Sequence, residues 1–146
     1  MNTSNEIWIK ASPKQVFRLA EAVERWPELL PHYRYVRQLD RHDNVRVVQM
    51  AASRDGIPVR WTSLLLPLPR ENSIRFRHLR GVTKGMEVEW RLRRERGGTH
   101  VIIEHDLRLG WPPLIRNLGE IVIARFFIHN IAGKTLRRIK QLAESG

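Results

Sequence analysis

The sequence predicts an α+β fold in which one antiparallel sheet wraps a C-terminal helix. Three observations predict it. A short strand is followed at once by a strong helix start. Six extended segments separated by turn residues then run from about residue 33 to 109. The chain closes on its longest helical stretch, whose middle is apolar almost all round. Such a helix must be covered on more than one side, and the sheet is what this chain offers to cover it.

The first strand is "EIWIKA". In "ASPKQVF", Ser12 suits an N-cap, Pro13 the first helical position and Gln15 the far end of a capping box. Val16, Phe17, Leu19, Ala20 and Val23 continue as a helical stripe. "RWPELLPHY", with two prolines and a small apolar patch, reads as a bent or short second helix. The strands follow: "YRYVRQLDR", then "VRVVQMAASR" after the turn "HDN", then "PVRWTSLLLPL" after "DGI", an Asp-Gly hairpin signal. "SIRFRHL" comes after "ENS", "MEVEWRLRRE" after a glycine-containing turn, and "GGTHVIIEHDLRLG" closes the series. Successive hairpins make an antiparallel, strongly curved meander. After "GWPP" the helix is expected from Leu114 to Ala143, with Leu118, Ile121, Val122, Ile128, Ile131, Ala132, Leu136, Ile139 and Leu142 in a 3.6-residue rhythm.

A chain of 146 residues with neither internal repeat nor linker is expected to be one domain over 1–146. Having no cysteine, it can use neither thiolate chemistry nor cysteine metal ligands. The start lacks a signal-peptide pattern, and the longest nearly apolar run, "IVIARFFI", is too short to span a bilayer. A cytoplasmic protein without a transmembrane segment is expected, as monomer or homodimer. The net charge of +11 favours anionic partners such as nucleic acid, acidic lipid headgroups or an acidic carrier protein. The arginines are dispersed and no nucleic-acid motif accompanies them, so nucleic acid is not expected as a partner. Docking on a ribosome or a membrane rests on charge alone.

Period-2 alternation sorts the strands into two faces. One face carries Val59, Trp61, Ser63 and Leu65, then Ile74, Phe76 and His78, then Met86, Val88, Trp90 and Leu92, then Val101, Ile103, His105, Leu107 and Leu109. That row is apolar and aromatic, interrupted by Ser63, His78 and His105. It has the composition of a pocket with a few placed polar groups. His105 reads either as a core histidine satisfied by a backbone carbonyl or as a neutral imidazole able to move a proton. His78, near a strand end, is expected at the rim. His100 and His105 point to opposite faces and no HExxH pattern occurs, which argues against a metal; neither a dinucleotide nor a phosphate loop is present, and no cofactor is expected.

The order of "ASPKQVF", "RWPELLPHYRYV", "VRWTS", "GGTHVIIEHDL" and "FFIHNIAGKTLRRIKQL" resembles the polyketide cyclase/dehydrase group of the START-like (Bet v 1-like, helix-grip) superfamily over nearly the whole chain. The resemblance implies a seven-stranded antiparallel sheet curled around the C-terminal helix, two short helices after strand 1, and an apolar cavity between sheet and helix. It also implies a pocket tyrosine at Tyr33 and a polar helix residue at His129, with Asn130 adjacent. Where the aromatase/cyclases of that group place an arginine, this chain has Leu65.

Two functions follow from the resemblance. One is a cofactor-independent aromatase/cyclase acting on a poly-β-ketone, delivered on an acyl carrier protein. There His105 or His129 moves the proton, Tyr33 and Ser63 bind the enolate oxygen, and Trp61, Leu65, Phe76, His78, Met86, Val88, Trp90, Ile103 and Asn130 hold the substrate. The other is a non-catalytic carrier or sensor of a hydrophobic small molecule such as a quinone, a lipid or a steroid-like ring system, a reading that Leu65 favours. Between the two, the resemblance leans narrowly to the enzyme.

Overall fold

A computed structural model describes residues 1–146. The chain runs β1 (Asn2–Ile9), α1 (Pro13–Glu21), a 3-10 turn (Val23–Arg25), α2 (Trp26–Leu29), β2 (Tyr33–His42), β3 (Val45–Arg54), β4 (Ile57–Leu68), β5 (Ser73–Arg80), β6 (Glu87–Glu95) and β7 (Gly98–Asp106). The C-terminal helix follows as α3 (Pro113–Ile123), a π-helical turn (Ala124–Ile128) and α4 (His129–Ser145), without interruption. The seven strands form one antiparallel sheet in the order β1-β7-β6-β5-β4-β3-β2, so β1 and β2 are its edges. This is the helix-grip architecture that the resemblance implied.

Local chemistry accounts for the element starts. Ser12 accepts a hydrogen bond from the Gln15 amide at 3.2 Å, and the Gln15 side chain accepts one from the Ser12 amide, completing the capping box ahead of Pro13. The first strand begins four residues before the apolar alternation does. Asn2 to Asn5 are polar and carry no pattern, but they pair with Asp106 to Ile103 of β7. The Met1 amino group donates to the Leu107 carbonyl at 2.8 Å and fixes that end. At the other end of the pairing, Gly98 lets β7 approach β1 closely: a Cβ there would lie 2.3 Å from the Ile9 carbonyl.

The inner face buries Val48, Met50, Leu65, Ile74, Phe76, Val88, Trp90, Leu92, Val101 and Ile103 against Ile128, Ile131, Leu136 and Ile139. Register lines up one inward row across six strands: Thr3, His105, Val88, Phe76, Leu65 and Arg46. The outer face is laced with ion pairs such as Arg75–Glu89 at 3.0 Å and Arg91–Glu104. Those charges balance locally on exposed strands and add little stability.

One expectation fails in an informative way. The apolar helix was to be covered on more than one side, and α4 is. In α3 only Gly119, Glu120 and Ile123 are buried, leaving Leu114, Ile115, Leu118, Ile121 and Val122 in solvent. Apolar periodicity marks a surface that prefers to be covered; it does not say that this chain supplies the cover.

Candidate ligand-binding cavity

The sheet does not close completely on the helix. A cavity of about 100 Å³ remains between the inner faces of β2 to β7 and the segment from Phe127 to Thr135, and 14 of its 18 lining residues are hydrophobic. Trp61, Phe76, Val88, Trp90 and Ile103 reach it because alternation turns them inward. Met86 reaches it from the turn before β6, and Trp26 from α2. On the helix, Ile128, Ile131, Ala132 and Thr135 form one stripe at spacings of three and four residues.

The other four lining residues, His78, Thr83, His105 and Thr135, interrupt this wall with polar groups, as does the hydroxyl of Tyr33. His78, Thr83 and Thr135 are hydrogen-bonded within the protein. His78 Nδ1 lies 2.6 Å from Thr83 Oγ1, and its ring stacks on Trp61 with centroids 5.6 Å apart. Thr135 Oγ1 donates to the Ile131 carbonyl at 2.8 Å and lies 2.9 Å from His32 Nε2. Tyr33 packs edge-on against Trp26 at 4.9 Å, beside Thr135, and burial pushes its phenol well above the ordinary value.

His105 is the exception. Its Nδ1 is buried and has no hydrogen-bond partner. Burial, reinforced by the nearby His129, lowers its pKa to about 4, and burial with the facing His105 lowers that of His78 to about 3. Both imidazoles are therefore neutral at pH 7, each able to donate one hydrogen bond and accept another.

The structure separates the sequence-selected residues into two groups. Tyr33, Trp61, Phe76, His78, Met86, Val88, Trp90, Ile103 and His105 share the cavity wall; Ser63, Leu65, His129 and Asn130 do not. Ser63 faces inward but is fully buried, its hydroxyl committed to the carbonyls of Leu64 at 2.8 Å and Arg77 at 3.1 Å. Leu65 is fully buried packing. Beside it on β3, Arg46 also points inward, but Glu24 takes its Nη1 at 2.7 and 2.8 Å and the Glu21 carbonyl takes its Nη2 at 2.8 Å. That guanidinium faces α1 and the following turn rather than the cavity.

His129 turns toward the sheet edge, its Nε2 2.5 Å from Thr3 Oγ1. Asn130 has a buried, unpartnered Oδ1 away from the cavity wall. Both miss the wall because Ile128 and Ile131 occupy it, and helix neighbours diverge by about 100°. His78 is corrected in the opposite sense: it is buried on the wall, 8% exposed, because the turn carrying Thr83 folds over it. Sequence reasoning missed Thr83 and Thr135. Thr135 sits four residues after Ile131, on the apolar stripe itself, and that spacing could have found it; Thr83 lies in a turn that carries no periodicity. No group of three or more His, Cys, Asp or Glu side chains is arranged to hold a metal ion.

The family described as polyketide cyclase / dehydrase and lipid transport matches residues 9–136. The chain belongs to that family. Among solved structures, TTHA0849 from Thermus thermophilus superposes with a TM-score of 0.83 at 22% identity, covering 100% of both chains. The Zhui aromatase/cyclase from a Streptomyces species gives 0.78 at 17%, covering 100% of this chain and 98% of that one. A START superfamily protein from Mycobacterium smegmatis gives 0.71 at 17%, covering 97% and 98%. At these identities the likeness concerns the fold alone. No curated protein matches in sequence.

Proposed function

We propose that this chain binds a small apolar molecule bearing at least one oxygen, and that His105 recognises the oxygen. One observation carries this: of the buried polar atoms that lack a partner, only His105 Nδ1 belongs to a residue on the cavity wall. Leaving such an atom unpaired costs about 1–3 kcal/mol, which a ligand hydroxyl or carbonyl recovers. The remaining wall is greasy and largely self-satisfied, as a binding site requires. A cavity of about 100 Å³ takes one ring, and a longer molecule has to displace Phe127 or the turn carrying Thr83. Residues 1–146 act as one unit in this account, in the cytoplasm.

Acid–base chemistry is the second reading, supported by Tyr33 and His105 sharing one cavity in a family that includes cyclases. The substrate is then a poly-β-ketone brought by an acyl carrier protein whose acidic surface suits the basic chain. His105 takes a methylene proton, Tyr33 donates to the enolate oxygen, carbon–carbon closure follows, and water leaves. Two features weigh against it. An imidazole with a pKa of about 4 is a weak base at pH 7, and no free arginine faces the cavity to polarise a ketone.

Native mass spectrometry of the purified chain, paired with Tyr33→Phe and His105→Leu variants, tests both readings. A bound oxygenated apolar molecule that His105→Leu loses, with no turnover of a poly-β-ketone by any form, is the expected result. Cyclised product from the native chain that either variant abolishes would establish the enzyme instead.

A further inference from the structure

The exposed side of α3 is the largest unexplained feature of the molecule. Leu114 is 97% exposed, Leu118 66%, Ile115 52% and Val122 50%, at helical spacings that place them on one stripe. Gly119, Glu120 and Ile123 hold the opposite side of the helix to the protein. Trp111, ahead of the helix, covers Gly119 on that protein-facing side, where a Cβ would meet its ring at 2.3 Å, and remains 40% exposed. An apolar stripe of this length turned to water is a contact surface, not packing left over.

The charge around it says what the contact is. Around α3 the chain carries Arg108, Arg116 and Arg125, of which Arg108 pairs with Asp106 at 3.6 Å. The one acid of α3, Glu120, is buried and accepts from the Leu109 amide at 3.0 Å. An amphipathic helix whose only carboxylate is buried and whose stripe ends at the exposed Arg125, on a chain of net charge +11, suits an interface that is apolar inside and anionic outside. A second copy of this chain suits it less, because pairing α3 with itself brings arginines together with no acid to answer them.

We infer that α3 docks this protein on an anionic phospholipid surface, with Leu114, Leu118 and Val122 entering the acyl boundary and Arg125 meeting the phosphates. The inference stands whichever reading of the cavity holds. It also gives the cavity a route to an apolar ligand, since α3 runs through the π-helical turn directly into the wall residues Phe127 and Ile128.

The test is co-sedimentation of the full chain with vesicles of phosphatidylcholine alone or mixed with phosphatidylglycerol, across a salt series. The expected result is binding to the mixed vesicles at least tenfold stronger than to phosphatidylcholine, weakening with salt. Leu114→Glu/Leu118→Glu removes it without moving Tm; Arg125→Glu weakens it and Arg125→Lys retains it. Failure of the native chain to bind either vesicle overturns the inference. So does concentration-dependent dimerisation abolished by Leu118→Glu in a chain that ignores vesicles, or binding that the double variant leaves intact.

Discussion

Arg46 and His105 stand in one inward row of the sheet and have opposite economies. Arg46 is almost fully buried but saturated, with two contacts to Glu24 and one to the Glu21 carbonyl. Arg46→Met strands Glu24; because that carboxylate is about one-third exposed and rehydrates, the loss expected is about 1–3 kcal/mol, read from the denaturant midpoint. His105 is buried and unsaturated, so His105→Leu removes a polar atom that was never paired. The fold should therefore tolerate it, with Tm unchanged or raised, while ligand affinity falls severalfold. A Tm loss of several degrees would instead assign the imidazole a structural role. Sequence alternation made the inward direction of His105 legible. It could not tell a satisfied histidine from an orphaned one, because that depends on which neighbours from β1 and the C-terminal helix stop short of it.

At the scale of elements, the alternating strands and the capped α1 were readable because a half-buried sheet and a helix start each impose a local pattern. The C-terminal helix was readable in extent but not in orientation. A stripe at 128, 131, 132 and 135 faces the cavity, which puts His129 against Thr3 and leaves Asn130 off the wall. A single polar pair in an apolar run does not reveal which way it turns until the sheet is in place. Ala132 gives the element-scale prediction. Ala132→Leu keeps helix propensity and fills part of the cavity, so stability should be equal or higher and binding of a one-ring ligand should disappear. Chemical denaturation and calorimetric titration of the same variant check the two halves separately. Binding that survives the added side chain would mean the ligand sits elsewhere.

For the whole molecule, a cavity of about 100 Å³ is a standing cost of about 2 kcal/mol at ~24 cal/mol per Å³. The histidines add a pH dependence. His32, His78 and His105 have folded-state pKa values of about 4, 3 and 4, lowered chiefly by burial, against about 6.5 unfolded. Above pH 6.5 both states are neutral and nothing is lost. As pH falls from 6.5 toward 4 the unfolded chain takes up protons that the folded chain refuses, so stability declines over that window. Melting curves from pH 7.5 to 4.5 should show the decline, and His105→Leu should make it shallower. An unchanged slope in that variant would mean His105 is not dry when folded. No helix here is long and apolar enough to cross a membrane.

Titration calorimetry of phenol against toluene asks most directly whether the neutral imidazole of His105 recognises an oxygen inside the cavity. The two rings are nearly the same size and differ in one hydroxyl, and the comparison is made on the native chain and on His105→Leu. Phenol should bind the native chain severalfold more tightly than toluene, with the difference gone in the variant. Equal affinities in the native chain, or a preference for phenol that the variant keeps, would contradict the assignment.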